Sequence, residues 1–419
     1  MLLNLDDAAL LTNLQAFLDA RHLDHVAVAV SGGGDSTALL HVMSQLAATT
    51  DIRVQAVTVD HGLRNEAAEE ARKVNRWATA WGIPHTTLKW SGWAGDGNLQ
   101  AEARKARYEL MVDWATEQGV QALLLGHTAD DQAETVLMGL SRASGVDGLA
   151  AMPEQRMLGG IALLRPLLGH SRQELRDYLQ LQGLDWIEDP SNHSPRFERI
   201  RMRQASEALS DLGLSTPALA QVAQNMAHVQ AALDHHTQAE ARLTCQVDAG
   251  DVVLDMERFV TLPQETARRL LLGAVAWVNG GTDRPRRQPT IMALSAIGQG
   301  TPAQLAGCRI VKQRQWMRVC REYNAVKDLR VNPGELWDNR WRLTGPKEDA
   351  ITIAALGDKG LLQCPNWRET GRPHAALVAS PAAWRGDEVL AAPFAAAANG
   401  WSIQGATSTE EFIASLLSH

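Results

Sequence analysis

Cysteine is scarce in this chain: four residues in 419, at positions 245, 308, 320 and 364, with no Cys-x-x-Cys pair. That scatter argues against a disulfide framework, a cysteine-ligated zinc site and an iron–sulfur cluster. No apolar run approaches the ~18 residues that a membrane helix needs. The first residues, Met1-Leu-Leu-Asn-Leu-Asp-Asp7, carry two acids where a signal peptide has a basic segment. The expectation is therefore a cytoplasmic protein. Internal repeats and low-complexity tracts are also lacking. What is present is an apolar fraction of 45%, ordinary for a folded protein. At ~150 residues per domain the length suggests two or three domains. The formal charge of −8, taken as a total, speaks against a nucleic-acid partner.

Through about residue 185, short β-branched runs alternate with helical patterns. Strands are expected at 25–30, 54–60, 86–90 and 122–127, with helices at 36–48, 65–81, 99–118 and 129–140. Such alternation implies an α/β fold with a doubly wound parallel sheet, whose ligands bind outside the carboxyl ends of the strands. The turn-rich Asp189-Pro-Ser-Asn-His-Ser-Pro195 is a plausible domain edge. The expected partition is a catalytic domain over 1–205, a helical linker and basic domain over 206–330, and a small β-rich domain over 331–419. Within these, a helix is expected over 263–278 and a hairpin over 308–320.

The first strand runs into Ser31-Gly-Gly-Gly-Asp-Ser-Thr37 and then a helix. Consecutive glycines let a ligand approach the backbone, and unpaired amides at a helix N-terminus bind phosphate. Ser31, Ser36 and Thr37 offer hydroxyl donors. No Gly-Lys-Ser/Thr follows, so this is not a Walker A loop, and the Gly-x-Gly-x-x-Gly pattern is not met. Asp35 would repel a phosphate unless a divalent cation intervened, which suggests Mg²⁺. Strand, SGGGDS and helix together resemble the PP-loop ATP pyrophosphatase superfamily, whose members cleave ATP between the α and β phosphates.

Other strand ends carry further candidates. Asp60 and His61 close the second strand beside the phosphate loop; as plain residues, Asp60 and Gly62 are turn formers. His127 precedes a helix that begins Thr-Ala-Asp130-Asp131-Gln-Ala-Glu134. Asp131 and Glu134 share one helix face at i,i+3. They are candidates to hold Mg²⁺ on ATP or to position an attacking amine; acids in a first helical turn also simply favour the helix dipole. Arg104 and Arg107 are also i,i+3, and 196–203 holds four arginines, a residue suited to phosphate recognition.

The segments SGGGDSTALLH (31–41), VDHGLRNEA (59–67), NLQAEARKARY (98–108), GHTADDQAETVLM (126–138), SGVDGLAAM (144–152), RPLL (165–168), SRQEL (171–175) and WIEDPSN (186–192) together resemble the tRNA(Ile)-lysidine synthase family over roughly the first 200 residues. The resemblance implies adenylation by ATP of C2 of the wobble cytidine in the CAU anticodon of tRNA(Ile). Free L-lysine then displaces AMP through its ε-amine. It also implies roles: Ser31, Gly32, Gly33, Gly34, Asp35 and Ser36 for the ATP phosphates, with Asp60 and His61 at their side. Asp35 would hold Mg²⁺, Asp131 and Glu134 would serve lysine and the reaction centre, and His127 and Arg107 would line the pocket. The family's Arg-Asn-x-x-Arg pattern, with its last arginine set on Arg201, meets Phe197 and Glu198 where it has Arg-Asn. The register among Arg199, Arg201 and Arg203 therefore stays open, as does the oligomeric state, homodimer included.

Three other readings compete. A thiolation enzyme of the same superfamily needs a catalytic cysteine or cluster, and no cysteine precedes Cys245. An amide-forming synthetase carries a glutaminase domain or uses ammonia, and no glutaminase domain is apparent. A non-catalytic tRNA-binding protein has no need of Asp35, Asp131 and Glu134. The charge total loses its force when divided by region. Residues 1–150 hold 11 Lys/Arg against 19 Asp/Glu, whereas 265–330 hold 12 against 4. Phosphate contacts depend on local clusters. An acidic ATP- and lysine-handling part followed by a basic tRNA grip is the expectation.

Overall fold

The computed structural model describes residues 7–62, 66–90, 99–188, 198–281, 285–346, 350–396, 398–405 and 407–417. Leu63, Arg64, the Asp189–Pro195 turn with His193, Arg196, Phe197 and Arg284 lie outside the described residues. The chain divides into two compact units, Met1–Gln230 and Ala231–His419.

The first unit runs α1 (Asp7–Asp19), β1 (His25–Ala29), α2 (Gly34–Thr49), β2 (Arg53–Asp60), α3 (Ala67–Ala80), β3 (His85–Lys89), α4 (Leu99–Glu117), β4 (Ala122–Leu125), α5 (Ala129–Ser141), α6 (Val146–Leu149), β5 (Gln155–Leu158), β6 (Ile161–Leu164), α7 (Arg172–Leu181) and α8 (Glu198–Asp211). Its sheet has the order β3-β2-β1-β4-β6-β5. All neighbours pair in parallel except β5, which is antiparallel to β6. The α/β, doubly wound expectation is met, with one antiparallel edge strand added.

Side chains alternate across a strand, so a sheet covered on both faces needs apolar residues at every position. β1 shows this directly. Val26, Val28 and Val30 face Leu39, Leu40 and Met43 of α2. Ala27 and Ala29 face Met111, Val112 and Ala115 of α4. Strand order reverses between β1 and β4, so a crevice opens at their carboxyl ends. Both strands run from that edge into a helix, β1 into α2 and β4 into α5.

The helix α9 (Thr216–Thr244) leads into the second unit, whose first sheet comprises β7 (Cys245–Asp248), β8 (Asp251–Asp255), β9 (Ala303–Leu305), β10 (Cys308–Gln313) and β11 (Trp316–Arg321). Its order is β7-β8-β11-β10-β9, with the expected hairpin in register at Ile310 and Val319. The expected helix is α11 (Gln264–Val278), which follows α10 (Met256–Phe259). Its Leu270, Leu271 and Ala274 pack on Val252, Leu254 and Val319 of that sheet. The strands β7 and β8 escaped the sequence reading because the buried run 251–255 sits between two helical stretches. Further on lie a four-stranded and a three-stranded antiparallel sheet. Trp337, Trp341 and Trp401 are buried there with Leu343 and Ile353, as packing residues rather than base-stacking platforms.

Candidate functional site

The loop after β1 is built so that its backbone, not its side chains, faces the crevice. Gly32 has φ +86, and a Cβ there would stand 2.5 Å from Ile187 Cδ1. Only glycine fits. The Ile187 N–H donates to the Gly32 carbonyl at 2.9 Å, tying the loop to the 186–188 segment. The Ser36 hydroxyl donates to the Gly33 carbonyl at 3.0 Å and accepts from the Ser31 N–H at 3.2 Å. Thr37 donates to the Gly32 carbonyl at 3.1 Å. Both hydroxyls thereby help to hold the loop. The Gly33 N-cap has no side chain to cap α2, which leaves first-turn amides turned toward the crevice.

The end of β4 presses against this turn. A Cβ on Gly126 would stand 2.9 Å from the Ser36 amide nitrogen. Next, Thr128 caps α5, and the Asp131 carboxylate accepts from the Thr128 N–H at 2.9 Å and its hydroxyl at 3.1 Å. The adjacent Asp130 points elsewhere and accepts the Arg172 N–H at 2.7 Å. Two neighbouring aspartates thus have separate tasks. Asp130 pins the start of α7 and Asp131 the start of α5, and both line the crevice.

The charges converge on Arg172. Its guanidinium lies 3.3 Å from Asp35, 3.6 Å from Asp131 and 3.5 Å from Glu134. Glu134, only 2% exposed, also meets Arg199 at 3.1 Å and Arg203 at 2.9 Å. Burial pushes the Asp35 carboxyl up to about 6, with Arg172 opposing and Asp131 reinforcing. Burial works the same way on Asp131, but Arg172 and the Thr128 N–H outweigh it and hold that carboxyl below its ordinary range. Burial also disfavours charge on Arg172, yet Asp131, Asp35 and Glu134 keep it protonated. Burial pushes the His127 imidazole down to about 4 despite Asp131, so it is neutral at pH 7. His61 is lowered by burial and by Arg107. The Nδ1 atoms of both histidines are buried without a hydrogen-bond partner among the described residues. Arg107 has no acidic partner among them either.

The crevice has a volume of about 880 Å³, enough for a nucleotide with a second reactant. Of the residues named from sequence, Ser31, Gly33, Gly34, Asp35, Ser36, His61, Arg104, Arg107, His127, Asp130, Asp131, Arg199 and Arg203 line it. Gly32 and Glu134 stand behind the lining, shaping the turn and holding arginines. Asp60 does not line it; its carboxylate accepts the Gly62 N–H at 2.9 Å, the turn-forming role. Arg201 does not line it either and is exposed on α8. Arg199 and Arg203 are four residues apart and share the helix face that Arg201, two residues along, leaves. Arg172 and Trp186, from the segments SRQEL and WIEDPSN, line the crevice without having been given a role, and Arg176 lines it outside any quoted segment. The Ser171–Glu174 capping box was the available signal for Arg172, since it starts a helix just past the edge of β6.

No group of three or more His, Cys, Asp or Glu among the described residues is arranged as a metal cage. A cleft carboxylate such as Asp35 fits the other kind of site, where Mg²⁺ takes one or two carboxylates and completes its shell with substrate phosphates. In the second unit several arginines of the basic stretch are paired with acids. Arg318 pairs with Asp248 and Asp251 at 2.6 and 2.9 Å, Arg321 with Asp338 at 2.9 Å, and Arg269 with Asp234 at 2.6 Å. Arg286, Arg309, Lys312 and Arg314 remain exposed.

A family model described as a PP-loop domain matches residues 7–207. Over 419 residues the chain is 49% identical to a tRNA(Ile)-lysidine synthase from Ruegeria pomeroyi, covering 100% of both. It is 37% identical to the tRNA(Ile)-lysidine synthase of Wolbachia pipientis, covering 80% of each chain. It is 41% identical to that of Methylobacterium nodulans, over 68% of this chain and 84% of the relative.

Proposed function

The chain belongs to the tRNA(Ile)-lysidine synthase family, and from that premise we propose how its own residues perform the reaction. It is an ATP-dependent ligase that modifies tRNA(Ile). The substrate atom is C2 of the wobble cytidine in a CAU anticodon. Its oxygen is a poor leaving group. ATP adenylates that oxygen and pyrophosphate leaves. The ε-amine of free L-lysine then attacks C2, and AMP departs with the oxygen.

The amides at the start of α2 and the Ser31 hydroxyl receive the phosphates of ATP. Asp35 holds Mg²⁺, which when bound supplies charge neutralisation on those phosphates. Arg107, with no acidic partner among the described residues, faces the negative charge that develops on the leaving groups. Asp131 receives the lysine amine. Glu134 orients Arg199 and Arg203 rather than contacting substrate. Neutral His127 and His61 offer hydrogen bonds without adding charge. We assign this chemistry to residues 1–205, and contact with the rest of the tRNA to 206–330 and 331–419. The cytoplasm, which holds both ATP and tRNA, is its compartment; among the described residues no helix is long and apolar enough to cross a membrane.

The observation that carries the reading is the meeting of an uncapped glycine-turn helix end with the Asp35, Asp131 and Arg172 cluster in one crevice. Sulfur transfer has no such support. All four cysteines lie in the second unit and are buried. The test is incubation of CAU-bearing tRNA(Ile) with enzyme, ATP and Mg²⁺, using labelled lysine in one arm and a labelled sulfur donor in the other. ATP-dependent lysine label in the tRNA supports the reading. Sulfur label alone overturns it.

A further inference from the structure

Arg172 has no task in the roles set out above, although its position is fixed from three sides. Its own N–H is held by Asp130 at 2.7 Å, and the Ser171–Glu174 box closes the helix start. Further along α7, the Tyr178 hydroxyl meets His41 of α2 at 2.7 Å. The guanidinium is therefore delivered from a rigid base between α2, which carries Asp35, and α5, which carries Asp131 and Glu134.

From there each of its three nitrogens addresses a different carboxylate, at 3.3 to 3.6 Å. None of these is a short two-point pair of the kind that Arg and carboxylate form when pairing is the purpose. Glu134 keeps two other arginines, Arg199 and Arg203, if Arg172 is removed. Asp35 and Asp131 have no other ion-pair partner among the described residues. The groups facing this point are Asp35 from α2, Asp130, Asp131 and Glu134 from α5, Arg199 and Arg203 from α8, and Arg176 from α7. His127 and His170 nearby are kept neutral by burial.

We propose that Arg172 is the positioning residue of the lysine-transfer step, a fixed cation against which the incoming ε-amine enters uncharged and ready to attack. The proposal rests on the lysidine reading. An amine attacks only through a free lone pair. Two carboxylates alone would hold an ammonium, because opposite charge favours the charged form. A cation sharing Asp131 with Arg172 lies within the ~4–6 Å over which a like charge disfavours the charged form. The ε-ammonium gives up its proton to solvent on entry, because Asp131, held below its ordinary range by Arg172 and the Thr128 N–H, does not take it up. The nitrogen lone pair forms the C2–N bond, the C2–O bond breaks, and AMP leaves as its anion with the oxygen. The positive charge spreads over the modified ring until a proton is released.

The test separates the two half-reactions in the full chain. Adenylated CAU tRNA is formed with ATP and Mg²⁺, then chased with lysine over a range of pH, for wild type, Arg172→Gln and Arg172→Lys. Lysine binding is measured by calorimetry in parallel. Arg172→Gln is expected to transfer lysine about tenfold more slowly at neutral pH, a loss equivalent to one pKa unit on the amine. The loss should recover as pH rises, with calorimetric affinity for lysine unchanged or tighter. Arg172→Lys keeps a cation and should restore the wild-type pH profile in part. A wild-type pH profile in Arg172→Gln would overturn the proposal. So would an equal loss in adenylation and transfer, or weakened lysine binding that accounts for the whole effect. A wild-type enzyme that incorporates no lysine would instead overturn the functional reading itself.

Discussion

Two clusters of charge in this molecule use the same residue types to opposite ends. In the first unit one guanidinium is shared by three carboxylates at 3.3 to 3.6 Å, at the wall of an 880 Å³ crevice. In the second unit one carboxylate, Asp248, is shared by Arg318 at 2.6 Å and Arg372 at 2.7 Å. The cavity beside that pair is about 20 Å³, room for a single water. Short, closed pairs hold sheets together; long, shared ones beside an open space await a ligand. The comparison also changes what the basic stretch means. Its count of arginines promises a strong grip on RNA, but several of them are already neutralised inside their own unit.

The sharpest way to break the comparison is to exchange charge for its neutral isostere on each side. Asp131→Asn keeps a cap for α5 but loses the carboxylate. Lysine incorporation should fall about 10³-fold, with tRNA binding near wild type in a filter assay. Normal incorporation would mean the crevice charge is ornamental. Arg318→Met should do the reverse. Asp251 is buried and loses its guanidinium partner, whereas the partly exposed Asp248 keeps Arg372; the loss costs about 3 kcal/mol, seen as an earlier urea transition, while activity per folded molecule holds.

Smaller effects sharpen the same contrast. His127 titrates near 4 when folded against 6.5 in its ordinary state. Between those values the unfolded chain binds the extra proton, so stability declines as pH falls from 6.5 toward 4. His127→Asn should flatten that decline by up to about 3 kcal/mol, measured by unfolding at pH 7 and pH 4.5; an unchanged slope would place the acid sensitivity elsewhere. Arg203→Ala should lower kcat/KM about tenfold, because Arg203 lines the crevice and meets Glu134, and Arg201→Ala less than about twofold, because Arg201 is exposed outside that lining. Smallest of all, Arg309→Ala should reduce the salt slope of tRNA binding by about one.

Much of the first unit was legible in the sequence because its signals are local. The valine–alanine run of β1, the three glycines after it and the acids opening α5 each announce a strand, a turn or a helix start on their own. What stayed hidden depends on neighbours distant in the chain. Nothing in Asp130-Asp131 says which carboxylate takes the Arg172 N–H and which its guanidinium, because Arg172 lies 42 residues along from Asp130. Nothing in 196–203 fixes which arginine meets Glu134 until α8 has a face against α5. Likewise, the pairing of Arg318 with Asp248 spans 70 residues, so regional charge counts could not foresee it.

The acidic, arginine-bridged crevice is where we propose that lysine is joined to the wobble cytidine. The most direct test of that proposal is mass spectrometry of nucleosides from CAU-bearing tRNA(Ile) after incubation with enzyme, ATP, Mg²⁺ and L-lysine. The expected result is a cytidine–lysine adduct at the wobble position that disappears when ATP is left out. Intact tRNA with an unmodified wobble cytidine would contradict it.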